Sequence, residues 1–145
     1  MDILVINTDL VDRSVIQQVL EHGGHKVTFV ENAEDGWKLI ADVHFRFVII
    51  DISTQEQDIY QLIRQAHTRS GSVGQTYFLL LVKKGLSEQL NAGLEAGADD
   101  YLNTPIAPQE LKTRVAIGVR ILFMGETLFN ARNHLESLAL YPQVR

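Results

Sequence analysis

Short apolar runs recur along the chain, each bounded by polar residues: Ile3–Ile6 (ILVI), Lys26–Val30 (KVTFV), Phe47–Ile50 (FVII), Tyr77–Val82 (YFLLLV) and Asp100–Asn103 (DYLN). They are rich in β-branched and aliphatic residues and do not alternate with polar ones. Such runs suit strands covered on both faces, as in parallel sheets. Between them the apolar positions take helical spacing: Val11, Ile16, Val19 and Leu20 within Leu10–Leu20; Trp37, Leu39 and Ile40 within Ala33–Ile40; Ile59, Leu62 and Ile63 within Ile59–Ala66; Leu86, Leu90 and Leu94 within Leu86–Ala96. Strict alternation of short strands with helices implies βαβ crossovers. The expected architecture is α/β, a doubly wound parallel sheet of five strands and five helices.

Punctuation residues agree. Asp9 is placed to cap the first helix, Asn32 the second and Ser87 the fourth; Gly97 ends the fourth in a left-handed cap, and Pro108 suits the first turn of the last. Ser70–Thr76 (SGSVGQT) reads as a surface loop, because it lacks the Gly-Lys-Ser/Thr ending that a phosphate cradle needs. In doubly wound sheets, ligands sit in the crevice outside the carboxyl ends of the strands. Asp51 closes the third strand in the stretch FVIID and is therefore expected there.

Composition narrows the function. At 145 residues and 46% hydrophobic, the chain suits one compact domain. A formal charge of −5, with acids spread along the sequence, argues against binding to nucleic acid. The absence of cysteine excludes disulfides, thiolate metal sites and thiol nucleophiles. No basic leader and no bilayer-length apolar run is visible, so a cytoplasmic protein without membrane contact is the expectation. The five histidines, His22 and His25 included, form no metal motif, and no set of nucleophile, base and orienter appears. An independent enzyme has no support.

The order of elements, FVIID at the third strand, and Leu94–Leu102 (LEAGADDYL) followed by Thr104-Pro105 resemble the receiver domain of bacterial response regulators. The resemblance covers roughly residues 1–120 and implies a flavodoxin-like fold of receiver type with a cis Thr104-Pro105 bond. It also implies that a histidine kinase passes a phosphoryl group to Asp51. In the family, two acids after the first strand hold a divalent cation, while a Ser or Thr after the fourth strand and a Lys after the fifth hold phosphoryl oxygens. Here Asn7 and Thr8 stand for the acids, Val82 for the hydroxyl residue and Thr104 for the lysine; Gln55 and Ile59 replace a usual Pro and Gly. At about 4 Å, each lost carboxylate removes on the order of several kcal/mol of attraction for a cation even at an effective dielectric near 20. A degenerate, pseudo-receiver site follows, with no cofactor beyond weak Mg²⁺ binding. Asp9 directly follows Asn7-Thr8 and either turns toward the crevice to compensate or caps the first helix. Lys83, with Lys84 beside it, either stays in solvent or reaches across to Asp51. Tyr101 aligns with an aromatic that moves on phosphorylation in many receivers, here without its Ser/Thr partner.

Helical sequence continues from Gln109 to about Leu140, where Pro142 stops it. Ile117, Ile121, Met124, Leu128, Ala131, Leu135 and Leu138 follow steps of four and three, a coiled-coil seam of about three heptads, with residues 121–145 as a helical extension. The alternative is a helix folded back on its domain. Gly118 and Gly125 are expected to weaken this helix by about 1 kcal/mol each. The segment also resembles the signalling helix that precedes outputs such as diguanylate cyclases, so the chain is expected to be a piece of a longer protein or to have lost its output. The leading expectation is a non-enzymatic signalling module that dimerises through its last helix and controls a protein partner. The runner-up is a working phosphoacceptor on Asp51, served by a histidine kinase and coupled to a fused or separate output domain.

Overall fold

The computed structural model describes residues 1–53, 56–73 and 75–140; the side chains of residues 56, 69–73, 129 and 137–140 fall outside that description. The elements run β1 (Asp2–Ile6), α1 (Leu10–His22), β2 (Lys26–Val30), α2 (Ala33–Val43), β3 (Phe47–Asp51), α3 (Glu56–Val73), β4 (Tyr77–Lys83), α4 (Ser87–Ala96), β5 (Asp100–Thr104) and α5 (Pro108–Leu140). The five strands form one sheet in the order β2-β1-β3-β4-β5, and every pairing is parallel. The doubly wound expectation holds.

The unbroken apolar runs divide by parity, as a strand's two-residue repeat requires. Leu4, Ile6, Val48, Ile50, Phe78, Leu80 and Val82 point to one face, where Ile40 of α2, Ile59 and Ile63 of α3 and Ala96 of α4 cover them. Ile3, Val5, Phe47, Ile49, Tyr77, Leu79 and Leu81 point to the other, under Ile16 and Leu20 of α1 and Leu111, Val115 and Leu122 of α5. Both faces are buried at the central strands β1, β3 and β4, which is why these are almost wholly apolar there.

The caps are mostly where the sequence places them. Asp9 accepts hydrogen bonds from the N–H groups of Val11 and Asp12 (2.9 and 3.0 Å), and Asn32 accepts one from Asp35. Gly97, at φ +120, ends α4, and a Cβ there would strike the His67 ring. Ser87 is corrected: Leu86 takes the N-cap position with no side-chain bond. The turn at Gly85 (φ +93), closed by Leu86 N–H to Lys83 O, brings the chain into the helix one residue early, so Ser87 is already helical. The Ser70–Thr76 loop is also corrected, because α3 continues to Val73. Gly and Ser lower helix propensity by up to about 1 kcal/mol each, too little to stop a helix already anchored by its apolar face.

Helix α5 is a continuous 33-residue helix, about 50 Å long at 1.5 Å per residue. It does not fold back. Its contact with the globular part runs past the expected boundary near residue 120: Leu122 is fully buried, and Glu126 pairs with Arg46 at 3.1 Å. Gly118 is more than a weak point in the helix, for its missing side chain lets α5 lie directly on the rings of Phe47 and Tyr77.

Candidate functional site

The crevice lies at the carboxyl ends of β1 and β3. Ile6 pairs with Ile50, so one step further along both strands places Asn7 beside Asp51. Asp51 is half-buried, and its Oδ1 accepts two hydrogen bonds from Ser53, from the backbone N–H at 2.9 Å and the hydroxyl at 2.7 Å. This Asp-to-i+2 turn is local chemistry that short polar side chains favour after a strand. It ties down one of the two carboxylate oxygens, and fully buried Ile52 anchors the turn below.

Asn7 is 2% exposed, its Oδ1 accepting the Asp9 N–H while Nδ2 has no acceptor. A buried amide thus stands beside Asp51, at the end of β1. Asp9 is committed to the α1 N-terminus. Asp12, one turn further on, is the buried acid: at 8% exposure its carboxyl is pushed above the usual aspartate value, by burial first and then by the Asp9 and Asp51 carboxylates. The Asn7 amide opposes that rise, although Nδ2 makes no hydrogen bond of acceptable geometry to Asp12. Arg13 donates from Nε to Asn7 O (2.7 Å) and from Nη2 to Val30 O (3.2 Å), and its guanidinium stacks over Phe29. It pins the ends of β1 and β2 together. Thr8 is exposed.

On the other side of the crevice, Val82 is buried in the core under α2 to α4. Lys83 and Lys84 are exposed, and among the described residues no ion pair joins Lys83 to Asp51. The solvated alternative for Lys83 is the one found, since Asp51 turns to Ser53 instead. Tyr101 is half-buried and packs on the edge of the same core; Thr104 sits opposite Lys83 in the β4–β5 register. The Thr104-Pro105 bond is cis. Among the described residues no group of three His, Asp or Glu side chains is arranged to hold a metal ion, and none of the helices searched is long and apolar enough to cross a membrane.

Asp99, Asp100 and Arg114 are engaged within the chain. Asp100 pairs with Arg114 at 3.4 Å, and Asp99 accepts the Phe78 N–H at 2.8 Å while burial raises its carboxyl above the usual range. Burial, then the carboxylates of Asp100 and Asp99, push the Tyr77 phenol up to about 12. Along α5, Ile117, Met124, Leu128, Ala131 and Leu135 are exposed, Leu128 at 71% and Leu135 at 66%, and Ile121 is half-buried. The Leu138 side chain lies outside the described residues. Ile121 packs against the core beside Leu122, while Ile117, Met124, Leu128, Ala131 and Leu135 lie off the stripe Leu111, Val115, Gly118 and Leu122 that seats the helix on the sheet.

Sequence reasoning passed over Ser53 and Arg13, and reads Asp12 only as an acid near the positive end of the first helix. Ser two residues after a strand-terminal Asp is a turn signal. The burial of Asp12 and the reach of Arg13 to two strand ends carry no local signal.

The sequence profile described as "Response regulator receiver domain" matches residues 3–116. Protein PetR of Rhodobacter capsulatus is 32% identical over 113 residues, which are 78% of this chain and 46% of that protein. A putative response regulator from Chloroflexus aurantiacus superposes with a TM-score of 0.69 at 29% identity, covering 79% of this chain and 93% of that one. The receiver domain of sensor histidine kinase PA1611 from Pseudomonas aeruginosa, with a magnesium ion coordinated in its active site cleft, gives 0.70 at 21% identity, covering 81% and 96%. The chain spans about half the length of the curated relatives it matches.

Proposed function

Because the chain belongs to the response regulator receiver domain family, we propose that it is a receiver module of a two-component system whose phosphorylation site is degenerate, and that it signals by pairing through α5 and by contact with a protein partner. The observation that carries this reading is the buried Asn7 amide beside Asp51, with its Nδ2 donor unanswered. Phosphoryl transfer to a carboxylate needs a dication to screen the incoming oxygens, and Mg²⁺ takes oxygen ligands, carboxylates among them. The residues at hand do not fit that ion: an amide and an exposed hydroxyl stand where two acids would, and Asp9 gives one of its two oxygens to the helix cap. After transfer, buried Val82 offers no donor and Thr104 no cation, so the phosphoryl oxygens lack the charge-assisted bonds that would hold them. Control by association then rests on α5, whose Ile, Met and Leu stripe is left in water by a single copy. Burying such side chains is worth roughly 1.5–3 kcal/mol each before the cost of association. A parallel pair would set two outputs, fused or separate, side by side, as a signalling helix ahead of a diguanylate cyclase would.

One observation favours a second reading. Asp12 brings a third carboxyl next to Asp9 and Asp51, and crowded carboxylates are what a cation relieves. On that reading Asp51 is phosphorylated by a histidine kinase through a rebuilt site. Intact mass after incubation with acetyl phosphate and Mg²⁺ separates the two. The degenerate site gives no added phosphoryl group; stoichiometric addition that disappears in Asp51→Asn establishes the second reading.

A further inference from the structure

A groove of about 470 Å³ runs between α2 and α3, on the side of the sheet away from α5. Each helix contributes one large apolar residue and one carboxylate to its lining, Trp37 (half-buried against the core) and Glu34 from α2, Leu62 and Asp58 from α3, together with the amides of Gln61 and Gln65. Among the described residues no lysine or arginine lines it. Glu34 has one partner, Lys38 at 3.7 Å, and both side chains are mostly in water, so that pair exchanges readily; Asp58 is in no ion pair among the described residues.

From this combination we propose that the α2–α3 groove is the docking site for an arginine- or lysine-bearing segment of a protein partner. A long cationic side chain has the two things the groove asks for: an aliphatic stem to lie along Leu62 and a charged head to sit near the Trp37 ring between two carboxylates. An arginine guanidinium also stacks on an aromatic face while its fork donates to a carboxylate and to side-chain amides. An anionic segment would meet two like charges. A second copy paired through α5 leaves the groove open, since the two surfaces lie on opposite faces of the sheet. The inference deepens the proposed control of a protein partner, and it does not depend on whether Asp51 is phosphorylated.

Trp37 is the only tryptophan in the chain, so its fluorescence reports on the groove directly. Titrating the full chain with hexa-arginine amide should give a saturable change in emission that weakens several-fold between about 20 and about 150 mM salt; hexa-glutamate should give none. Asp58→Asn and Glu34→Gln, both exposed and tolerant of substitution, should each weaken binding about three-fold, the size expected for one exposed charge pair. Glu110→Gln, on the first turn of α5, should leave it unchanged. Absence of a saturable change up to about millimolar peptide, or equal weakening by Glu110→Gln, overturns the proposal, the latter by showing general attraction to an acidic protein. Either failure leaves the acetyl phosphate result standing, and the reverse is also true.

Discussion

Two glycines seven residues apart on α5 should respond in opposite directions to the same substitution. On helix propensity alone, Gly118→Ala and Gly125→Ala each gain about 1 kcal/mol. A Cβ at 118, however, would lie 2.6 Å from Phe47 Cε2 and 2.7 Å from Tyr77 Cε1. Those rings are fully buried and packed on each other at 5.1 Å between centroids, so neither has room to retreat. Overpacking of this kind costs about 1–3 kcal/mol, which leaves Gly118→Ala destabilised by about 1 kcal/mol. At 125 the Cβ meets only the end of the Gln75 side chain, at 2.8 Å to Oε1, and a half-exposed glutamine can swing aside. Gly125→Ala should therefore gain roughly 0.5–1 kcal/mol, a gap of about 2 kcal/mol between the two variants. Urea unfolding followed by circular dichroism at one fixed protein concentration measures it, the concentration being held because pairing adds to apparent stability. Equal stabilisation by both substitutions would mean that α5 does not rest on the Phe47–Tyr77 pair, and the direction in which its exposed stripe points would have to be redrawn.

Asp12→Asn should stabilise the protein at neutral pH and make no difference well below the usual aspartate value of 3.8. A carboxyl whose folded value is raised contributes its stability at low pH and loses it as pH rises through that value, so wild type should fall behind the variant from mildly acidic pH upward. Urea midpoints across pH 3–7 check this; the same offset at both ends would show that the gain is unrelated to the buried charge. Leu128→Glu with Leu135→Glu should give a folded monomer in light scattering at tens of micromolar, where wild type should be a dimer. A monomeric wild type, or a double variant that still pairs, would remove the α5 stripe as the interface.

The strands were legible because the runs of β1, β3 and β4 are apolar on both parities, a pattern that a sheet covered on two sides requires. Caps were legible where a short polar side chain stands just ahead of the first helical residue, as at Asp9 and Asn32. Ser87 misled because the turn at Gly85 set the helix start, and turn geometry is decided by backbone dihedral angles that residue type only biases. Ser70–Val73 misled because local composition weighs against helix while an anchored helix needs little help to continue. The reach of α5 onto the sheet was hidden for another reason. Leu122 and the exposed stripe are alike in residue type, and only the seat at Gly118 tells which of them faces inward.

At the crevice, what could be read was identity and what could not was partnership. Asn7, Thr8, Val82 and Thr104 are informative as residue types at strand ends, since an amide cannot supply the charge of a carboxylate whatever its orientation. Which groups then satisfy one another depends on distances of a few tenths of an ångström. Asp51 had a lysine two residues beyond its β4 register partner and a serine two residues along the chain; it is the serine that bonds it. A local partner needs only one turn to form, whereas Lys83 would have to order a flexible four-carbon stem across an open crevice, a loss of side-chain entropy of up to about 2 kcal/mol against a solvent-exposed ion pair worth less. The same preference for near partners places Asp9 on its own helix and leaves Asp12 to carry the buried charge. On the proposed reading, this crevice would differ from a magnesium site by the loss of two carboxylates, with one oxygen each of Asp9 and Asp51 taken up by local bonds.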